Sequence, residues 1–304
     1  MSTGYAHHKA QEPVIILPIP PDGDSSFEVD ICGTQVSILV EFITYIDIFA
    51  KQCSRVLIYD WRKGQLRMDL SADSRYSAAV FLSTEIVLLA QETGGALELW
   101  NIPDVPEHIA GPEISLRLPP LPDHYGYCIS RVKYNPKGNH AAASRQPFHS
   151  SLVHSLVMLN IMQVDNDGLD IKIMFLTVSR LALLERLFSA ETPGEELSWS
   201  EWGPVFCRWF PTSCFIVDWQ TITCGERCIF LMPDRCLLLL DFNPYTRKKA
   251  LLEQEKQDSS AVPATGELEF VEELPLLWRA GKFSTRVLGE KVQGDHHLGR
   301  GYDG

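Results

Sequence analysis

The chain is poor in positive charge: its 304 residues carry 27 Lys and Arg against 39 Asp and Glu, a formal charge of −12. Nucleic acids are bound through a basic face that displaces counterions, so a nucleic-acid partner is not expected. Long apolar runs are also missing. The two longest, 36–49 and 229–242, are broken by Glu41 and Asp47 and by Asp234, Arg235 and Asp241, and a helix crossing a bilayer needs roughly 18–20 uncharged residues. No membrane partner is expected either. The first residues lack an apolar stretch of signal-peptide type and no Asn-x-Ser/Thr acceptor occurs, which points to a cytoplasmic or nuclear protein. In that reducing setting the eight cysteines (Cys32, Cys53, Cys128, Cys207, Cys214, Cys224, Cys228 and Cys236) read as free thiols packed as small apolar side chains.

Recognisable catalytic apparatus is scarce as well. There is no G-x-S-x-G, no His-Glu-x-x-His and no P-loop. A G-x-G-x-x-G at Gly299, Gly301 and Gly304 lacks the strand before and the helix after that would hold a pyrophosphate. The run from Asp165 to Asp170 has Leu169 and Asp170 where a calcium loop needs an oxygen ligand and a glycine. Among Cys207, Cys214, Cys224, Cys228 and Cys236 only the Cys224/Cys228 spacing approaches a zinc pair, and no histidine lies between His154 and His296. The expectation is therefore a non-enzymatic protein with no cofactor and no metal. A β-fold hydrolase assembled from loop His and Asp is the competing class, because a Ser/His/Asp site draws its members from distant positions.

What the sequence does contain is a globular composition, 45% hydrophobic and 22% charged, arranged as many short β-type runs. Residues 1–26, with Pro13, Pro18, Pro20, Pro21 and Gly23, read as a disordered, extended lead-in. From Phe27 onward, runs rich in Val, Ile, Leu and aromatics fall at 27–32, 35–42, 55–61, 65–70, 78–82, 85–90, 96–102 and 114–118. Lys63-Gly64 and Gly94-Gly95 lie between such runs, where glycine supplies the positive φ of a tight turn. Asn166-Asp167-Gly168 between the runs 156–165 and 169–175 is the strongest hairpin signal. Short strands at even spacing predict an all-β, antiparallel fold.

The runs repeat. Each of the first two units contains an aliphatic strand closing on tryptophan, Val56-Leu57-Ile58-Tyr59-Asp60-Trp61 and Leu97-Glu98-Leu99-Trp100-Asn101, followed by a shorter alternating strand, and 39 residues separate Trp61 from Trp100. A four-stranded propeller blade occupies roughly 40–45 residues. Leu159-Asn160-Ile161 and Leu239-Leu240-Asp241-Phe242 align as later members, with about two units between them. The pattern predicts a WD-like β-propeller over 27–290 with five or six irregular blades. Its ring need not be complete, which would leave the sheet edges of its end blades open. A β-sandwich is the alternative. Residues 180–188 fit a helix or a strand equally, 246–266 read as an exposed insertion, and 291–304 as a disordered tail.

The most distinctive stretch is aromatic. Trp199, Trp202, Trp209 and Trp219, four of the seven tryptophans, fall within 21 residues beside Arg208 and Asp218. Two roles suit such residues. Indoles fill the wedges between sheets with Arg and Asp satisfying their edges, as blade staples; the same residue types also dominate partner-binding hot spots.

The run from Arg55 through Asp60-Trp61 to Gly64, the strand 97–102, Glu201-Trp202-Gly203-Pro204 with Arg208-Trp209, and Leu240-Asp241-Phe242-Asn243-Pro244 together resemble the propeller portion of basidiomycete fungal F-box proteins, whose repeats are degenerate relatives of the WD type. The resemblance covers about 27–290. It implies the substrate-binding half of an adaptor in a cullin-type ubiquitin ligase, with a protein as partner. The F-box itself is not present: Leu17-Pro18 and Leu274-Pro275 match only its opening dipeptide. A cullin adaptor is thus a partner only if an F-box is encoded upstream. Otherwise the expectation is a stand-alone interaction scaffold.

Overall fold

The computed structural model describes residues 9–11, 14–17, 25–46, 49–72, 75–92, 94–104, 111–122, 125–131, 155–165, 171–190, 192–211, 223–231, 237–243, 245 and 284–288. These residues form an all-β protein of four successive sheets with two short helices.

The first sheet is an antiparallel meander of β1 (Ser25–Cys32), β2 (Gln35–Ile46), β3 (Phe49–Asp60) and β4 (Gln65–Ala72) in chain order. The second runs β5 (Tyr76–Phe81), β6 (Ile86–Gln91), β7 (Ala96–Asn101) and β8 (Ile114–Arg117). The third is built from β9 (Tyr125–Arg131), β10 (Leu156–Asp165) and β11 (Ile171–Ser179). Before its fourth strand the chain makes helix α1 (Arg180–Phe188), strand β12 (Glu195–Leu197) and helix α2 (Trp199–Phe206), then closes the sheet with β13 (Cys207–Pro211). β12 leaves the third sheet altogether and pairs in parallel with β8, as a fifth strand of the second. The fourth sheet is β14 (Thr223–Cys224), β15 (Arg227–Leu231), β16 (Leu237–Asp241) and β17 (Ser284–Leu288).

The turns follow the residues that permit them. Gly64 (φ 64°) joins β3 to β4 and Gly95 (φ 57°) joins β6 to β7, both in the left-handed region that a side chain disfavours. Asn166-Asp167-Gly168 lie outside the described residues, but β10 and β11 on either side are paired from Leu156↔Ser179 to Val164↔Ile171, as a hairpin requires.

Burial explains why the sheets stack. Alternate strand residues point to opposite faces, and the inner strands are apolar on both. Leu39, Val56, Ile58 and Met68 of the first sheet meet Tyr76, Phe81, Val87, Leu89 and Trp100 of the second. The opposite face of the second sheet, with Val80, Leu88, Leu97, Leu99 and Ile114, packs on Ile129, Leu159, Ile161, Leu176 and Val178 of the third. Between third and fourth, Phe210 meets Phe242 edge-on at 5.9 Å and the Leu156 N–H donates to the Gly225 carbonyl at 3.1 Å. The first strands of the first three sheets lie together, β5 against both β1 and β9.

One backbone bond recurs in every sheet. The residue just past the third strand donates to the residue just ahead of the second: Trp61 to Thr34 (2.9 Å), Ile102 to Glu85 (2.7 Å), Arg180 to Ser155 (3.0 Å) and Phe242 to Glu226 (2.8 Å). The third strands end on Asp60, Asn101, Ser179 and Asp241. Asp60 accepts from the Arg62 N–H (3.0 Å), Ser179 from Ala182 (3.3 Å) and Asp241 from Asn243 (3.0 Å), so a short oxygen-bearing side chain organises the exit from the strand.

This repeat corrects the third unit of the sequence alignment. Leu159-Asn160-Ile161 lies on β10, a second strand, whereas the member equivalent to Asp60 is Ser179, where the chain turns into α1. The described residues form four sheets, and they show no closed ring. Part of the stretch read as lead-in is docked: Ile15 and Leu17 pack on the outer face of the first sheet, and the Gln11 N–H donates to the Arg62 carbonyl at 2.7 Å. The expected insertion at 246–266 and tail at 291–304 lie outside the described residues.

Candidate functional site

The tryptophan-rich stretch folds as α2 and β13. Ser198 stands at the N-cap, and Glu201 reaches back so that its Oε2 accepts from the Ser198 N–H (2.7 Å) and hydroxyl (2.6 Å). Those bonds hold the Glu201 carboxyl below the usual range. The helix ends after two turns, and Pro204 lies within it.

Its tryptophans point inward. Trp199, Trp202 and Trp209 are all buried and belong to the core shared by the second and third sheets. Trp199 meets Trp202 edge-on at 5.2 Å and Trp209 at 5.7 Å. The fully buried Trp202 donates its indole N–H to the Arg117 carbonyl at 2.7 Å, tying α2 to the end of β8. Trp199 lies over Gly203: a Cβ there would stand 2.3 Å from the indole ring. Arg208 is half-buried and donates back to the carbonyls of Pro204 (3.2 Å) and Cys207 (2.5 Å). Asp218 and Trp219 lie outside the described residues. The structure therefore brings together four of the six residues singled out, and none of the three placed indoles faces solvent.

Around this wedge Arg117 acts as a clamp. Its guanidinium makes a two-pronged pair with Glu196 on β12 (2.8 and 3.0 Å) and donates to the Gly94 carbonyl at 2.8 Å. Arg117 holds the Glu196 carboxyl below its ordinary range. On β12, Leu197 is buried in the same core. The segment between α1 and α2 thereby fastens the second sheet to the third.

Two further polar groups are buried at sheet seams. Glu92 pairs with Arg75 at 3.0 Å and accepts from the Ile129 N–H at 3.0 Å, joining second and third sheets. Arg180, almost wholly inaccessible, donates from Nη2 to the Phe81 carbonyl. No motif in the sequence flags either one. α2 carries a local signal in the Ser198-x-x-Glu201 spacing of a capping box.

Burial sets the thiol chemistry. It pushes the Cys207 and Cys228 thiols up, the latter on a strand beside the turn at Gly225, and a thiol held protonated is a weak nucleophile and ligand. Among the described residues no three His, Cys, Asp or Glu side chains converge as a metal site would require, and no helix is long and apolar enough to cross a membrane. All nine histidines, and with them the hydrolase alternative, lie outside the described residues. Comparison with family models, curated proteins and solved structures finds no match for the chain.

Proposed function

We propose that the chain is a non-enzymatic protein-recognition module, built as a WD-like β-propeller whose described blades number four. The observation that carries this reading is the repeated unit: four-strand antiparallel sheets following one another in sequence, stacked through apolar faces and closed by the same backbone bond in each. A blade with two apolar faces is not stable alone, and radial stacking covers those faces while leaving loops on a rim for docking. The burial of Trp199, Trp202 and Trp209 supports a frame role for them, with recognition left to the loops rather than to these indoles.

The partner is a protein. The link to ubiquitination rests on the resemblance to F-box propellers, and direct titration of the purified chain with the cullin adaptor tests it. For the recognition role, proteins captured on the immobilised chain are identified, purified and titrated back by calorimetry. Saturable binding of such a partner, with no turnover of ester, peptide or glycoside substrates, is the expected result. Turnover abolished by substituting one of the nine histidines would instead establish the hydrolase.

A further inference from the structure

The outer face of the first sheet is covered from within the chain, by a segment that belongs to no sheet. Val36, Ile38 and Val40 of β2 and Leu57 and Tyr59 of β3 lie on that face. Ile15 and Leu17 pack upon them, with the partly buried Trp61 against the same cluster. Burial alternates along the segment: Val14 and Ile16 are exposed, Ile15 and Leu17 half-buried. That is the alternation of an extended chain lying on an apolar surface. Leu17 also precedes Pro18, which biases its backbone toward the extended form. Among the described residues 14–17 pair with no strand. Just ahead of them, the Gln11 N–H donates to the Arg62 carbonyl at 2.7 Å, where the chain has left β3.

We propose that residues 14–17 are a tethered ligand, a strap that docks and releases while the sheet stays folded. The face beneath is then a binding groove for a short extended segment with apolar side chains at alternate positions. The balance of forces points to release. Half-burial of two aliphatic side chains is of the same order as the entropy cost of fixing the four residues that carry them. The sheet is held independently, by the pairing of β2 with β3 from Gln35 to Ile46 and by the seam its other face makes with the second sheet.

A tether explains why so weak a contact is occupied. Seven residues, 18–24, separate Leu17 from β1, and a link that short holds its ligand at an effective concentration of about a millimolar. The strap is thus an internal competitor, and a segment of matching pattern enters only as it leaves. This inference does not rest on the recognition role: a strap fixed permanently to the sheet would remove the groove and leave docking by the loops untouched.

Titration of the full chain with a free peptide of its own sequence from Lys9 to Pro18 tests it. The chain carries fluorotryptophan, and the Trp61 resonance, identified through Trp61→Phe, reports on the face. The double substitution Ile15→Asp/Leu17→Asp is expected to release the strap and leave the chain folded, so that the peptide binds saturably with a Kd of about 1 mM. On the parent the strap competes, and the apparent Kd is expected to rise by the reciprocal of the open fraction, about tenfold. A peptide with the same two substitutions is expected not to bind. No saturation of the substituted chain up to about 10 mM peptide, equal affinity for both chains, or equal binding of the substituted peptide would each overturn the proposal. So would a double variant that no longer folds, since the strap would then be part of the core.

Discussion

The Tyr76 hydroxyl donates to Glu98 Oε2 at 2.8 Å, in the seam where the second sheet meets the first. The same oxygen accepts the indole N–H of Trp100 at 3.0 Å, and the Tyr76 backbone N–H crosses to Ser54 Oγ of the first sheet at 2.7 Å. Both donors to the carboxylate are themselves core side chains, so Glu98 is satisfied inside an apolar interface.

Tyr76→Phe therefore removes a hydrogen bond to a buried charged acceptor while keeping the ring. Such bonds contribute about 1.5–3 kcal/mol. The urea midpoint is expected to fall accordingly with the m-value unchanged. An unaltered midpoint would mean that the carboxylate finds another donor.

Alkali should loosen the stack through the same kind of group. Burial, then the charge and hydrogen bond of Glu98, pushes the Tyr76 phenol up; burial does so for Tyr127. Burial, aided by the Glu92 charge and its hydrogen bond, pushes the Cys128 thiol up to about 11. In each case the unfolded chain releases its proton at a lower pH than the folded one. The stabilising contribution is complete below the unfolded value, about 8.5 for Cys and 10 for Tyr, and is lost as pH rises toward the folded value. Denaturation curves at pH 8, 9.5 and 10.5 should show declining stability, and Cys128→Ser should flatten the decline between the first two. A profile level to pH 10.5 would contradict the assignment.

Gly203 carries a steric prediction. With the Trp199 indole 2.3 Å from where a Cβ would stand, Gly203→Ala forces the ring off the helix and into Trp202 and Trp209. Overpacking of this kind costs about 1–3 kcal/mol, outweighing the gain of up to about 1 kcal/mol that alanine brings to a helix. The substitution is expected to lower the melting temperature and to change tryptophan fluorescence. A stabilised variant would show that the ring has room to move.

How much of this was legible in the sequence depends on whether the signal was local. The strands of the first two sheets, the turns at Gly64 and Gly95 and the repeat from Trp61 to Trp100 were readable, because alternation and turn chemistry are encoded within a few residues. The third unit escapes alignment because β11 ends on Ser179 and enters a helix, so no aromatic marks its exit, while Leu159-Asn160-Ile161 offers a better local match on the wrong strand. Residues 180–188 fit helix and strand equally by pattern, and the Ser179 cap, accepting from Ala182, decides it. The direction in which Trp199, Trp202 and Trp209 face depends on where the second sheet lies, and that β12 pairs with β8 rather than with its own sheet depends on a contact some eighty residues away. Spacing along the chain carries neither fact.

That long-range strand offers the sharpest separation of forces. Glu196 pairs with Arg117 but is more than half exposed, whereas the adjacent Leu197 is buried in the core between the second and third sheets. An ion pair in contact with water contributes about 0.2–1 kcal/mol, while truncating a buried leucine costs about 2–5 kcal/mol. Glu196→Gln should lower the urea midpoint only slightly and Leu197→Ala should lower it markedly, with hydrogen exchange quickening at 195–197 and along β8. If the two variants proved equally damaging, β12 would be held by charge, and raising the salt to 1 M would then destabilise the parent; a parent indifferent to salt leaves apolar burial as what keeps the strand on the second sheet.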